Sequence, residues 1–206
     1  MNVLVFGGSF NPIHLAHIEL VKGAKKALSP EKIILIPTFL PPHKGNEEMV
    51  SAFHRVNMCK LAAKEIGENT EVNDIEIKRE GLSYTKDTLY ELKKNNPEYN
   101  IDFLMGEDMY ITLKNWKAPE TIFSLCRIVA ALRSEDGKKR MQEYEKEIRK
   151  MGAITKFIDV PYRDISSTEV RQLIKKREKC FALNSRKCKR IYKGRRTLYL
   201  RSLKWY

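Results

Sequence analysis

Long apolar runs are missing from this chain of 206 residues. The longest, around Ile33 to Pro42, is short and broken by three prolines, so no transmembrane helix is expected. A basic stretch leading into a cleavable apolar segment is missing too, so no secretory signal is expected. Cysteine is scarce, and Cys59, Cys126, Cys180 and Cys188 show no C-x-x-C spacing. A reduced, cytoplasmic chain with unpaired thiols is the simplest account. No internal repeat is evident, which argues against a repeat architecture. Acidic residues are lacking at one end only. Residues 175–206 carry 13 Lys+Arg against the single acid Glu178, a net of +12. The other 174 residues carry 26 bases and 25 acids, so the body of the chain is nearly neutral.

Histidine is also sparse, four in all, yet His14 and His17 fall in one helical turn. They sit in the stretch around which the chain is organised. Val3-Leu4-Val5-Phe6 suits a strand buried on both faces of a parallel sheet. Gly7 and Gly8 follow, where a side chain would hold the backbone away from a ligand. Asn11-Pro12 turns the chain, and an amphipathic helix opens near His14 with Leu15, Ile18 and Val21 on one side. Such a turn presents free N–H groups and a positive dipole end to phosphate. His14 and His17, three apart, project over the same anion site. The competing reading is a plain strand–turn–helix with two incidental histidines.

Further along, Ile33-Ile34-Leu35-Ile36 reads as a second strand. Pro37 to Gly45 is a proline-stiffened loop containing His43 and Lys44. A helix is expected from Ser51 to Ile66, burying Val56, Cys59, Leu61, Ala62 and Ala63. Val72 to Ile77 reads as a third strand, Thr85 to Lys94 as a helix, and Ile101 to Met105 as a fourth strand. A short helix near Pro119 to Ser124 and a fifth strand, Arg127 to Leu132, come next. Glu135 to Met151 is a charged helix with Met141, Tyr144, Ile148 and Met151 as its apolar stripe. Ile154 to Ile158 is a last strand. Ser166 with Glu169 forms a capping box, and Ile165 with Val170 a hydrophobic staple, announcing a final helix. The pattern predicts an α/β fold, Rossmann-like and doubly wound, with a mostly parallel sheet and helices on both faces. Ligands then gather outside the carboxyl ends of the strands.

Three more stretches join the His14/His17 turn at those ends. His43-Lys44 beside two prolines is either a preset phosphate site or a solvated loop. Gly106-Glu107-Asp108 at a strand end can bond a ribose, and Trp116 can stack on an aromatic ring. An Asp is equally a helix cap there, and a Trp a hydrophobic plug. Ser166-Ser167-Thr168 with Arg171 one turn on is a second polyphosphate cradle, or simply a good cap.

Gly7-Gly8-Ser9-Phe10-Asn11-Pro12-Ile13-His14-Leu15-Ala16-His17 resembles the G-G-T-F-D-P-x-H-x-G-H signature of the nucleotidylyltransferase superfamily. Ser9, Asn11 and Ala16 depart from it, and none removes a reacting group. With Pro41-Pro42-His43-Lys44, His54-Arg55, Glu76-x-x-Arg79-x-Gly81-x-Ser83-Tyr84-Thr85, Gly106-x-Asp108, Trp116 and Ile165 to Arg171, it resembles one branch, nicotinate-nucleotide adenylyltransferase. The resemblance implies adenylyl transfer from ATP to nicotinate mononucleotide, giving nicotinate adenine dinucleotide and pyrophosphate. It implies that His14, His17 and Arg171 act catalytically. ATP would be bound by Gly7, Gly8, Ser9, Phe10, His14, His17, Gly106, Asp108, Ser167, Thr168 and Arg171. Nicotinate mononucleotide would be bound by His43, Lys44, Ser83, Tyr84, Thr85 and Trp116. Mg²⁺ is expected on the ATP phosphates, with no dedicated protein site. Related acceptors, nicotinamide mononucleotide or phosphopantetheine, are the alternatives within the class, and a basic-tailed nucleic-acid-binding protein is the alternative outside it.

The resemblance covers about residues 1–174 and stops at the basic segment 175–206, which is expected to be poorly ordered. That segment would attract nucleic acid non-specifically, and no specific nucleic-acid partner is expected. A homo-oligomer is compatible with the sequence.

Overall fold

The computed structural model describes residues 1–42, 49–132, 135–160 and 165–175. Its elements in chain order are β1 (Asn2–Gly8), α1 (Leu15–Leu28), β2 (Lys32–Pro37), α2 (Ala52–Ile66), β3 (Thr70–Val72), α3 (Ile75–Arg79) and α4 (Thr85–Asn95). Then follow β4 (Asn100–Gly106), α5 (Glu107–Tyr110), a 3₁₀ turn (Leu113–Asn115), α6 (Pro119–Leu125), β5 (Arg127–Leu132), α7 (Glu135–Arg149), β6 (Thr155–Asp159) and α8 (Ser167–Lys175).

The six strands form one sheet in the order β3-β2-β1-β4-β5-β6, and every pairing is parallel. The doubly wound expectation therefore holds, with the reversal of strand order between β1 and β4. Alternate residues of each central strand enter two different cores. Val3, Val5, Ile34, Ile36, Ile101 and Phe103 meet side chains from α4, α6 and α7. Leu4, Phe6, Ile33, Leu35 and Leu104 meet those from α1 and α2. Burial on both faces is why these strands read as unbroken apolar runs. Each connecting helix returns antiparallel to the strands, so the N-termini of α1, α2, α4 and α6 open on the sheet's carboxyl edge.

The expected third strand is shorter than its pattern suggested. Only Thr70–Val72 pairs with β2, and Ile75–Arg79 is helical. The Asn73 side chain accepts the Ile75 N–H at 3.0 Å, a local turn that ends the strand. Helix α2 also buries a different set: Arg55, Met58 and Ile66 are buried, whereas Val56 and Leu61 are half-buried. Helix α7 ends at Arg149, and Met151 packs on the core from beyond it. Among the described residues no helix is long and apolar enough to cross a membrane.

Candidate active site

The carboxyl ends of β1 and β4 flank the switch point, and each hands the chain to a separate side of one crevice. From β1 come Gly7 and Gly8, then the Ser9–Pro12 turn and α1. Gly8 is small for a reason internal to the protein. A Cβ there would sit 3.0 Å from the Phe10 ring. At Gly7 a Cβ would meet Phe103 at 3.7 Å and the Ile36 carbonyl oxygen at 4.0 Å, both ordinary contacts, so packing does not demand a glycine. Phe10 is buried with φ at 44°, a left-handed conformation unusual for a bulky residue.

His14 is the N-cap of α1 and His17 its third residue. The two rings lie 3.7 Å apart at 34°. The His14 backbone N–H donates to His17 Nδ1 at 3.3 Å, so in the neutral ring the proton sits on Nε2. Phe6 and Phe10 flank the His17 ring, Phe10 edge-on at 5.4 Å. His14 is 5 % exposed, and burial lowers its pKa to about 4 against an opposing pull from Glu169. It is therefore neutral at pH 7. Its Nδ1 has no hydrogen-bond partner among the described residues.

Helix α8 brings the third edge of the site. Glu169 accepts from the Ser166 N–H and hydroxyl at 2.7 and 2.8 Å, and its own N–H donates to Ser166 Oγ at 3.1 Å. The capping box expected from the sequence is thus present. Those Ser166 bonds also hold the Glu169 carboxyl below the usual range. Ser167 Oγ donates to the Pro12 carbonyl at 3.0 Å, and Arg171 Nη1 to the Asn11 carbonyl at 2.9 Å. Arg171 Nη2 lies 3.2 Å from Thr168 Oγ1. Two helix N-termini, from opposite ends of the chain, are thereby fastened to one turn.

From β4, Gly106 is the N-cap of α5, and Asp108 is exposed on its first turn. Beyond the 3₁₀ turn, Trp116 is half-buried against the core, and its Nε1–H donates to Thr112 Oγ1 at 3.1 Å. The ring is both a partial plug and an exposed face, so the two sequence readings are compatible.

On the other flank, Ser83 Oγ accepts the Phe39 N–H at 3.1 Å and the Ser83 N–H donates to the Leu40 carbonyl at 2.9 Å. Tyr84 caps α4 and Thr85 opens it. Behind them Arg79 Nη2 donates to Thr88 Oγ1 and Thr88 to Glu76 Oε1, both at 2.8 Å. Arg79 also pairs with Glu91 at 3.0 Å. His43 and Lys44 lie outside the described residues. No group of three or more His, Cys, Asp or Glu among the described residues could hold a metal ion. A residue that sequence reasoning quoted without a role is Arg55, wholly buried beneath the Ser9 turn. A lone arginine on a helix reads as solvent-facing, and only its place in the His54-Arg55 piece of the resemblance signals otherwise.

Residues 5–173 match the family model described as cytidylyltransferase-like. A Clostridium botulinum protein carrying the name "Probable nicotinate-nucleotide adenylyltransferase" is 38% identical over 179 residues, spanning 85% of this chain and 88% of its own. A Fusobacterium nucleatum protein of the same name is 35% identical over 192 residues, 93% of this chain and 96% of its own. Among solved structures, Plasmodium falciparum nicotinic acid mononucleotide adenylyltransferase complexed with APC superposes with a TM-score of 0.72 at 19% identity, covering 96% of each chain. The same enzyme complexed with NaAD gives 0.67 at 21% identity, covering 84% of this chain and 83% of that one.

Proposed function

This chain belongs to the nicotinate-nucleotide adenylyltransferases of the cytidylyltransferase-like family, and from that premise we propose that it joins ATP and nicotinate mononucleotide. The observation that carries the reading is the fastening of α8 to the Asn11-Pro12 turn. It sets Ser167, Thr168 and Arg171 beside His14 and His17 at the carboxyl edge.

The reaction is one in-line displacement. A phosphate oxygen of the mononucleotide attacks the α-phosphorus of ATP. The bond from that phosphorus to the bridging oxygen breaks, and pyrophosphate leaves with its electron pair. No covalent enzyme intermediate is needed, so the chain's part is positioning and charge neutralisation. His17 donates from Nε2 to an oxygen that gains charge in the transition state. His14 stays neutral and stacks on His17, fixing the ring that donates. Ser167, Thr168 and Arg171 hold the outer phosphates at the α8 N-terminus. Gly7 leaves room for the substrate chain, and Gly106 with Asp108 takes the adenosine side. On the acceptor flank, Tyr84 and Thr85 present backbone N–H groups to the carboxylate beside Ser83, whose own N–H is held by Leu40, and Trp116 stacks on the pyridine. His43 and Lys44 take the mononucleotide phosphate. ATP enters as its Mg²⁺ complex, the ion riding on phosphate oxygens as part of the substrate.

Residues 1–174 form the catalytic domain on this reading, with 175–206 appended to it. The free, buried thiols of Cys59 and Cys126 support a reducing, cytoplasmic setting. The deciding experiment is pyrophosphate release assayed with nicotinate mononucleotide, nicotinamide mononucleotide and phosphopantetheine in turn. The nicotinate form is expected to be turned over fastest. Equal rates with the amide would overturn the choice of acceptor.

A further inference from the structure

Helix α2 places a guanidinium where a core side chain belongs. Arg55 is 1 % exposed and belongs to no ion pair among the described residues, although the buried Glu76 carboxylate acts on it from further off. Instead it donates to backbone carbonyls of three separate segments. Nε reaches Val50 at 2.9 Å, Nη1 reaches Ser9 at 2.9 Å and Thr38 at 2.5 Å, and Nη2 reaches Phe39 at 3.4 Å. Removing a cation from water costs several kcal/mol, which charge-assisted bonds offset only when the geometry is good. An apolar residue would fill this space more cheaply. What it could not do is hold three loops to one plane.

The bond to Ser9 has a stereochemical consequence. In a planar trans peptide the C=O and the following N–H point in opposite directions. With the Ser9 carbonyl drawn inward to Arg55, the Phe10 N–H is turned away from the core. Among the described residues that N–H donates to no acceptor. The same bond steadies Phe10 in its left-handed conformation, and the Phe10 ring abuts both Gly8 and His17. Val50 is held from both sides, its carbonyl by Arg55 and its N–H by Asn11 Oδ1 at 3.1 Å.

We infer that Arg55 is a positioning residue for adenylyl transfer, acting through the Ser9–Phe10 peptide. It aims the Phe10 N–H at the phosphate site and sets the ring against which His17 rests. This rests on the adenylyl-transfer reading, and the experiment separates the two. The full chain, labelled with nitrogen-15, is titrated with inorganic pyrophosphate while the Phe10 amide and the His17 ring are followed. Both are expected to shift, the Phe10 amide proton downfield. A His17 response with a silent Phe10 amide would overturn the role of Arg55 and leave the reaction standing. Silence at both, with no turnover of any acceptor, would overturn the reaction itself.

The variant Arg55→Lys keeps the charge but cannot reach four carbonyls at once. It is expected to lower kcat by at least about tenfold, the scale of loss when reacting groups are slightly misplaced. The KM for each substrate should change far less, and the Phe10 amide should lose its pyrophosphate response. Unchanged kcat per folded molecule, with only a lower melting temperature, would reduce Arg55 to packing. If Arg55→Lys does not fold, the titration of the unaltered chain still decides.

Discussion

His14 shows how one residue couples stability to pH. Its folded pKa, about 4, lies below the ordinary value of 6.5 because burial disfavours the imidazolium. Between those values the unfolded chain binds the extra proton, so stability must rise with pH across that window. The contribution is fully present above pH 6.5, falls as the pH drops, and is lost below about 4. It amounts to roughly 3 kcal/mol at most. Denaturant midpoints measured from pH 4 to 7 should show the slope, and His14→Gln should flatten it. The task proposed for His17 is different. His17→Ala should lower kcat at least about a hundredfold and leave ATP binding largely intact, as for a donor acting on developing charge. Steady-state rates beside equilibrium binding of ATP check this, and an unaltered kcat would remove the role. That the two histidines meet at the α1 N-terminus was legible from their spacing and the turn before them. Arg55 was not, because its partners are carbonyls of distant loops and carbonyls have no sequence signature.

At the level of elements, α8 was announced by its cap, whereas its docking was invisible. Ser166 and Glu169 are three apart, so their bonds follow from local spacing. The bonds from Ser167 to Pro12 and from Arg171 to Asn11 join residues more than 150 positions apart. Weakening the cap should therefore be felt at the site. Ser166→Ala is expected to cost about 1 kcal/mol, as for other lost caps. If that falls on ATP binding, its KM rises roughly fivefold while kcat changes less. A melting temperature lowered with no change in KM would confine the effect to the helix. The α3 region shows the reverse failure. Ile75 and Ile77 alternate as in a strand, and the Asn73 turn overrides the pattern. Close packing leaves a similar mark in α1, where a Cβ on Gly23 would sit 2.7 Å from Val160. Gly23→Ala should therefore destabilise the fold by about 1–3 kcal/mol despite the better helix propensity of alanine. Chemical denaturation measures this directly.

For the whole molecule, strand order gathers scattered motifs into one candidate site. Alternating apolar runs were enough to predict a parallel sheet with helices on both faces. They could not say that the order reverses between β1 and β4, the step that brings Gly7-Gly8 beside Gly106-Glu107-Asp108. The family model ends at residue 173 and the last described helix at Lys175. The net charge of +12 on residues 175–206 therefore lies almost entirely beyond both. A segment beyond the family model, holding none of the proposed site residues, should be separable from the chemistry. A chain ended after Lys175 is accordingly expected to turn over nicotinate mononucleotide at an unchanged kcat. The full chain should bind nucleic acid without sequence preference at low salt and lose that binding steeply as salt rises, while the shortened chain should not bind. Pyrophosphate release and a salt titration on the two chains check both halves. Loss of turnover on shortening would show that the basic segment belongs to the catalytic domain.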